Sequence, residues 1–518
     1  MAPPYPLRRR RFMSRQPPLR AGRHIHHTHR YGIVRAASWV GRASSGGEGG
    51  IHRIRPSSRR GTVPSPERPN PMRKIPRTTV TALAVGIAGT LAFASSAHAA
   101  GFQLKENSVK SMGSAFAGTA AKTGDSSVVT NNPAVMTQFE GNTFQIDVTA
   151  IDLNYEFKGT ATDAFGRPMT GGDGGNAGDV TPVPAMSYIR KLDNGLALGA
   201  MVSAPFGLKT EYEDNWVGRY FAHTSDVRIV DLTLSGAIDV TDRFSVGIGA
   251  IVSRADVTLS RSVDFGTLLY SNPATRPLPF AQPQAADGFV EIQGDDNGFG
   301  WLVGAHFRPT DNFAIGVSYR SEIDYELAGT ADWTVPGNVA AVFSASPTTA
   351  PLFQDGPGGA KLTTPSVLSV GAHWNVTDRF ALSASWAETG WESLREVRIE
   401  FENPDPDAVE PFEWSDSTFV AIGAEYKLSD RWTLRGGIAN DETPTSLEHR
   451  TPRLPDDDRR WYSIGATWQV SDALDVNFAV THIKPDDPKV DVTSSGSRIA
   501  GPFDGSANLY GVSAQYRF

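Results

Sequence analysis

Between positions 100 and 518, the residues that could carry acid–base or nucleophilic chemistry are few and scattered. This stretch holds no cysteine and five histidines: His223, His306, His373, His449 and His482. A nucleophile needs a base within hydrogen-bond reach, and no serine or aspartate near these histidines suggests a triad. Two of the histidines occupy matching places in "GAHF" and "GAHW", which indicates a shared strand position. We therefore predict no enzyme, no cofactor and no metal site.

Three basic residues could instead bind an anion. Arg254 and Arg261 lie in one apolar segment, and Lys361 begins another. A carboxylate that leaves water needs a buried cation to offset its lost hydration. For each residue the alternative stays open that it is a rim charge or half of an internal salt bridge. Either role depends on the elements that position these side chains.

Six segments share one pattern, a strand, a tight turn centred on aspartate and a second strand. The turns fall at Asp193, Asp242, Asp311, Asp378, Asp430 and Asp472. Aspartate tolerates turn dihedrals and can bond its own backbone. In "FSVGIGAIV" the large residues Phe244, Val246, Ile248 and Val252 alternate with small ones. This period of two predicts strands rather than helices.

Alternation alone also fits a soluble sandwich, but three further features favour a transmembrane β-barrel. Short turns alternate with long loops, the residues between the large ones are small or polar, and an aromatic follows four of the turns: Phe244, Phe313, Phe380 and Trp432. These features are typical of outer-membrane barrels. Twelve hairpin strands, one near 143–157 and a last one give about fourteen. Such a barrel must close and encloses a lumen.

The chain divides into four predicted parts. Residues 1–71 hold fifteen arginines, no lysine and two acidic residues, so we expect a disordered basic segment that precedes the true start at Met72. Residues 72–99 read as a signal peptide. Residues 100–142 are rich in small residues and are predicted to form a plug, and residues 143–518 form the barrel. After cleavage, 31 basic and 54 acidic residues remain, a net charge of about −23 that argues against nucleic-acid binding.

Several stretches resemble the long-chain fatty acid transporter family of the outer membrane, which includes uptake channels for aromatic hydrocarbons. They are "AGFQLKENS", "GSAFAGTAAKTGDSSVVTNNPAVMTQF", "SAPFGL" and "WVGRYFAHTSDVRIVDLTLSGAIDVTDRFSVGIGA". The resemblance covers 100–518 and implies an all-β, 14-stranded antiparallel transmembrane β-barrel with an N-terminal hatch of short helices in the lumen. It further implies that the extreme N-terminus lies beside the ligand. The implied hatch and lumen residues are Gly101, Phe102, Asn132, Pro133 and Ala134.

Two long loops, about 262–288 and 330–360, are unusually apolar for exposed segments. Contiguous apolar surface usually marks a binding site, and the resemblance implies a hydrophobic groove formed by two such loops. The residues concerned are Phe265, Leu268, Leu269, Phe280, Trp333, Val335, Val339, Phe343, Leu352 and Phe353. The alternative is that the loops only pack on each other over the barrel mouth.

These observations predict passive transport of long-chain fatty acids or similar hydrophobic molecules, since no ATP motif is present. The expected route leads from the loop groove to a lumen pocket beside Phe102, and out when the hatch or a strand kink moves. We expect a monomer in the outer membrane of a Gram-negative bacterium, surrounded by lipid and lipopolysaccharide and inserted by the barrel assembly machinery through Phe518. The alternatives are an aromatic hydrocarbon or alkane channel, a general porin, a surface adhesin and, least favoured, a barrel enzyme.

Overall fold

Alternating segments pair edge to edge into one closed sheet in the computed structural model, which describes residues 101–518. The predictions for residues 1–71, for the signal peptide and for Ala100 lie outside the described residues. The strands are β1 Asn142–Phe157, β2 Thr160–Thr162, β3 Val180–Lys191, β4 Ala197–Glu211, β5 Thr224–Thr241, β6 Phe244–Asp264, β7 Asp287–Thr310, β8 Phe313–Arg320, β9 Ile323–Thr334, β10 Gly356–Thr364, β11 Val367–Asn375, β12 Phe380–Thr389, β13 Glu396–Phe401, β14 Ala408–Pro411, β15 Ser417–Lys427, β16 Trp432–Asp441, β17 Arg459–Gln469, β18 Leu474–Pro485, β19 Lys489–Ser494 and β20 Ser497–Arg517.

The helices are short. They are α1 Val109–Met112, α2 Val128–Asn131, α3 Phe265–Ser271 and α4 Gly337–Ser344, with 3₁₀ turns at Pro133–Gln138 and Trp391–Ser393. Among residues 101–518, no helix is long and apolar enough to cross a membrane.

Fourteen strands form the closed ring: β1, β3 to β8, β11, β12, β15 to β18 and β20. Strand β20 pairs with β1 from Thr143↔Arg517 to Phe157↔Phe503, which closes the barrel. All neighbours are antiparallel, and each of the six predicted aspartate turns joins two of them. The predicted fourteen-stranded barrel is therefore confirmed. Strands β9 and β10 continue β8 and β11 on the side of the long loops, which we call the upper side.

The two faces of the wall follow the predicted alternation. On β6 the Ile248 side chain is 63% exposed, whereas Ser245 is buried. Aromatic residues meet across strands at the level of the short turns: Phe244 pairs with Phe307, Phe380 with Tyr426 and Trp432 with Trp468. Such a belt marks a membrane interface. The large apolar residues therefore face lipid, and the small residues face the lumen.

Residues 101–141, the N-terminal segment, contact the inner side of every strand in the ring. Hydrogen bonds join Val109 N to Asp147 on β1 and the Ser126 hydroxyl to Ser187 on β3. Others join Asn132 to the Ala305 carbonyl on β7 and Gly118 N to Ser385 on β12. A segment that contacts all fourteen strands of a closed ring lies in its lumen.

The lumen accommodates this segment through a belt of inward-facing glycines at one level of the wall. The belt consists of Gly199, Gly247, Gly304, Gly316, Gly371, Gly423, Gly437, Gly465 and Gly511. A Cβ atom built at Gly316 would lie 1.7 Å from the Ala120 carbonyl oxygen, and one at Gly437 would lie 2.3 Å from Ser114 backbone atoms. Small residues also pair with the belt on neighbouring strands: Ser235 with Gly199, Ser383 with Gly423 and Ala479 with Gly465. The small inward-facing residues of the strands therefore leave the space that the N-terminal segment occupies.

Replacing Gly465 with leucine should displace the N-terminal segment. A Cβ atom at this position would lie 2.7 Å from the Gly113 Cα, and overpacking of this kind costs roughly 1–3 kcal/mol. We expect a higher single-channel conductance in planar bilayers. The matched control is Gly436→Leu, because no atom lies closer than 3.8 Å to a Cβ there. A leucine at Gly465 with no change in conductance would contradict the tight seal described here.

Candidate functional site

An apolar cavity, the upper cavity, lies in the lumen above the glycine belt. It forms because inward positions change character along the strands: on β6 they run from Ser245, Gly247 and Gly249 to Val257 and Leu259. The cavity has an empty volume of about 1060 Å³. Its apolar wall residues are Leu208, Val227, Val257, Leu259, Val290, Ile292, Leu327, Leu362, Leu394, Val397, Ile399, Phe412, Trp414 and Leu454. Ligand pockets of this kind are concave, mostly apolar and carry a few placed polar groups.

Phe102 lines this cavity and is nearly fully buried, as its predicted role beside a ligand requires. Its ring packs edge-on against Trp391, with centroids 4.9 Å apart, and lies 5.9 Å from the rings of Phe206 and Trp414. The aromatic cluster around Phe102 was not predicted, because Trp391 and Trp414 lie in irregular segments without strand periodicity.

The backbone around Phe102 takes the place of a missing strand partner. Strand β3 pairs with β4 only from Lys191↔Ala197 to Met186↔Val202. Beyond that point β4 is bulged between Ser203 and Phe206 and pairs with β5 alone. On its free edge, Gly207 N donates to Phe102 O at 2.8 Å, and Leu104 N donates to Pro205 O at 2.7 Å. The N-terminal segment therefore covers a gap in the barrel wall.

Gly101 fixes the beginning of the segment Phe102–Leu104, in which Gln103 forms a single β-bridge with Phe206. Its amide donates to Asp456 Oδ2 at 3.0 Å, and Asp456 is held in turn by Arg459 Nε at 2.7 Å. Gly101 has a φ of +62°, and a Cβ there would lie 2.8 Å from the Trp391 ring. Glycine is required at this position by both conformation and space.

Asn132, Pro133 and Ala134 lie away from the cavity, against the barrel wall. The Asn132 side chain caps the 3₁₀ turn by accepting from Ala134 N at 3.1 Å and donates to the Ala305 carbonyl of β7. A Cβ atom at Gly247 of β6 would lie 2.6 Å from Ala134 N. The structure gives these three residues an anchoring position in the N-terminal segment, and none of them lines the upper cavity.

Of the three predicted cations, only Arg261 lines the upper cavity. Arg254 points outward, as do Val252 and Asp256 on the same face of β6, and it pairs with Asp256 and Asp295. Lys361 is exposed on β10, whereas its neighbour Leu362 points into the cavity. The strand alternation already visible in the sequence would have excluded Arg254.

A second cation at this cavity, Arg453, was missed by the sequence reasoning. Its guanidinium is buried and donates to Thr224 O and Ser225 Oγ, both at 3.1 Å. No carboxylate among the described residues forms an ion pair with Arg453 or Arg261. Burial lowers the pKa of Arg453 and the nearby charge of Arg261 lowers it further, against an attraction to Glu410. Glu410 also lines the cavity, so its lining carries two guanidinium groups against one carboxylate. One excess positive charge beside an apolar cavity suits an anion with an apolar tail.

The two long loops pack on each other. Phe265, Leu269, Val339 and Phe343 form a buried cluster, against which Phe280, Trp333, Val335 and Phe353 pack. Phe265 lies 5.0 Å from Phe353 and 5.8 Å from Phe343 between ring centroids. Leu268 is exposed and Leu352 lies outside the cluster. The structure brings most of the predicted loop residues together, with Phe265 at their centre.

The burial of Glu106 predicts that the N-terminal segment is sensitive to pH. Burial raises the pKa of this carboxyl to about 7, although backbone amides and Lys105 favour its charged form. Because the pKa of Glu106 is higher in the folded than in the unfolded state, its protonated form stabilises the folded segment. This contribution of about 3 kcal/mol is fully present below pH 4.5 and is lost as the pH rises through 7. We expect the protection factors of the amides of residues 101–107, which correct for the intrinsic pH dependence of exchange, to fall between pH 5 and 8. Glu106→Gln should flatten this dependence, and an unchanged pH profile in that variant would contradict the assignment.

The comparisons with known proteins agree with this geometry. The family model described as "Outer membrane protein transport protein (OMPP1/FadL/TodX)" matches residues 90–518. Outer membrane protein P1 of Haemophilus influenzae is 30% identical over 459 residues, covering 82% of this chain and 96% of that protein. The long-chain fatty acid transport protein of Escherichia coli strain K12 is 27% identical, covering 85% and 98% of the two chains.

Solved structures show the same fold. A Pseudomonas aeruginosa FadL homologue superposes with a TM-score of 0.76 at 27% identity, covering 81% of this chain and all of that one. The Pseudomonas putida toluene transporter TodX superposes with a TM-score of 0.59 at 17% identity, over 79% and 97% of the two chains. The matched family, the outer-membrane relatives and the closed barrel place this protein in the outer membrane of Gram-negative bacteria. The chain belongs to the outer membrane protein transport protein family, OMPP1/FadL/TodX.

Proposed function

We propose that this barrel carries long-chain fatty acids, or apolar molecules of similar size, passively across the outer membrane. The observation that supports this most is the upper cavity, which combines apolar walls with Arg261 and Arg453. A fatty acid would place its tail among the wall residues and its carboxylate at the guanidinium groups. The fatty acid transport protein among the relatives favours the same ligand class.

The proposed route begins at the loop cluster centred on Phe265 and continues into the upper cavity. It is closed below by the segment Phe102–Leu104. When this segment leaves the edge of β4, the gap between β3 and β4 opens toward the membrane. Lateral exit suits a ligand that is insoluble in water. We further propose that the protein works as a monomer among lipopolysaccharide and that Phe518 serves its assembly.

Uptake of labelled oleate tests this function. The protein would be expressed in Gram-negative cells that lack their own long-chain fatty acid transporter, and the initial rate would be measured against cells with an empty vector. We expect saturable uptake above that background. A rate equal to the background at every oleate concentration would rule the function out.

A channel for aromatic hydrocarbons is the second candidate, because a toluene transporter shares the fold. The two arginines distinguish the candidates, since toluene has no charge to place there. Excess unlabelled toluene that abolishes oleate uptake would favour the hydrocarbon channel. A general porin would give large steady currents in planar bilayers. Because the N-terminal segment lies in the lumen, we expect small currents instead.

A further inference from the structure

A second, more polar cavity, the lower cavity, lies beneath the segment Phe102–Leu104. It has an empty volume of about 960 Å³. Gln103, Leu104 and Lys105 line it from the N-terminal segment, and Ser203 and Pro205 line it from the bulge of β4. The lower cavity therefore adjoins the gap between β3 and β4, and the segment Phe102–Leu104 separates it from the upper cavity.

One arginine in the lower cavity lacks part of its hydrogen bonding. Arg320, the last residue of β8, donates from Nη1 to Asp231 Oδ2 at 2.6 Å. Its Nε and Nη2 atoms are buried and have no partner among the described residues, and neither has Asp231 Oδ1. Unpaired buried donors on a cation are costly. The unpaired Nε and Nη2 form the side of a guanidinium that binds a carboxylate with two parallel hydrogen bonds.

The surroundings of Arg320 suit an amphipathic ligand. Its guanidinium lies 5.8 Å from the Phe206 ring centroid, and Leu302 and Phe419 add apolar wall. Lys105 is a second cation in the lining and lies 4.3 Å from the Phe419 ring centroid. Asp231 is the only acidic residue in the lining, and Arg320 already neutralises it. Asp441 and Glu106 lie outside the lining but attract the Lys105 ammonium, so Arg320 is the cation in this cavity whose donors stay unpaired.

We propose that the lower cavity is a second binding site, where Arg320 receives the carboxylate of a ligand that has passed Phe102. This inference rests on the proposed function and deepens it. Displacement of Phe102–Leu104 joins the two cavities and removes part of the cover of Arg320. The carboxylate then passes from Arg261 and Arg453 to Arg320 while the tail reaches the wall gap.

The test compares a charged ligand with a neutral one of the same tail. Initial uptake of labelled oleate and of oleyl alcohol would be measured for the unchanged protein and for R320Q/D231N, which removes both charges together and leaves no unpaired buried ion. We expect oleate uptake to fall about tenfold, the size of one lost charge-assisted pair, and alcohol uptake to stay within about twofold. The affinity of the purified variant for oleate at the upper cavity should be unchanged. Arg254→Gln, on the outer surface, is the matched control.

Each outcome decides the inference. Equal loss for oleate and the alcohol would show a structural role and overturn it, as would no loss for either. Heat-modifiable migration in gels verifies that R320Q/D231N folds. If that variant is unstable, R320K takes its place, because it keeps the charge but loses the planar pair of donors. Its oleate rate should then lie between the rate of the unchanged protein and the background. If the unchanged protein takes up no oleate, the proposed function fails together with this inference. If the unchanged protein takes up oleate and R320Q/D231N takes it up at the same rate, the lower site is refuted and the proposed function stands.

Discussion

Replacing Phe102 with alanine is expected to weaken oleate binding by at least about tenfold and to reduce saturable uptake at low oleate concentration to a similar degree. The ring forms the floor of the upper cavity and is buried against Trp391 and Trp414. Burying a phenylalanine side chain contributes roughly 1.5–3 kcal/mol, and the floor loses this packing in the variant. Isothermal titration of the purified protein and uptake by cells would measure the two effects.

The control for this variant is Phe139→Ala. Phe139 is also a buried phenylalanine in the N-terminal segment, but it packs with Val128 and Met136 and lines neither of the two cavities. It should change the stability of the segment and leave oleate affinity close to that of the unchanged protein. Saturable uptake that survives unaltered in Phe102→Ala would refute the gating role of this residue.

Replacing Arg453 with glutamine is expected to raise the Kd for oleate by about 10- to 100-fold. A hydrogen bond to a charged group contributes roughly 1.5–3 kcal/mol, and Arg453 is a buried cation at the cavity that forms no ion pair among the described residues. Oleyl alcohol has the same tail without the charge, so its Kd should change by less than about twofold. Titration of both ligands against the purified variant measures the difference.

Arg453 also donates to Thr224 O and Ser225 Oγ, so its loss could disturb the cavity wall. Arg453→Lys keeps the charge and should retain part of the oleate affinity, and Arg254→Gln removes an arginine from the outer surface as a control. An equal loss of affinity for oleate and for oleyl alcohol would show that Arg453 only supports the wall.

The sequence predicts the barrel well because its signal is local. Each hairpin carries its own alternation and its own aspartate turn, so six strand pairs can be recognised without knowledge of the whole fold. The inward glycines were visible as well, as in "GIGA" and "IGAE". That they form one belt against residues 101–141 depends on strand register, which the sequence does not display.

The candidate site was predicted only in part, and the reasons are physical. Phe102 was found through the resemblance, and Arg261 lies at an inward position of β6. Arg453 could not be found, because it lies in a loop where no periodicity tells whether a side chain is buried. Lys361 was chosen for its charge, although strand parity turns Leu362 inward instead. Arg261 lies on a strand and Arg453 in a loop, and the two segments are distant in the sequence, so only the folded structure shows that both side chains line one cavity.

The most direct test is a crystal structure of the protein with 2-bromohexadecanoate, whose bromine lies next to the carboxylate and can be located by anomalous scattering. The proposed function predicts a bromine peak in the upper cavity beside Arg261 and Arg453, with the alkyl chain directed toward Phe102. A structure at saturating ligand with no bromine peak in the lumen, or with one only on the outer surface of the barrel, would contradict it.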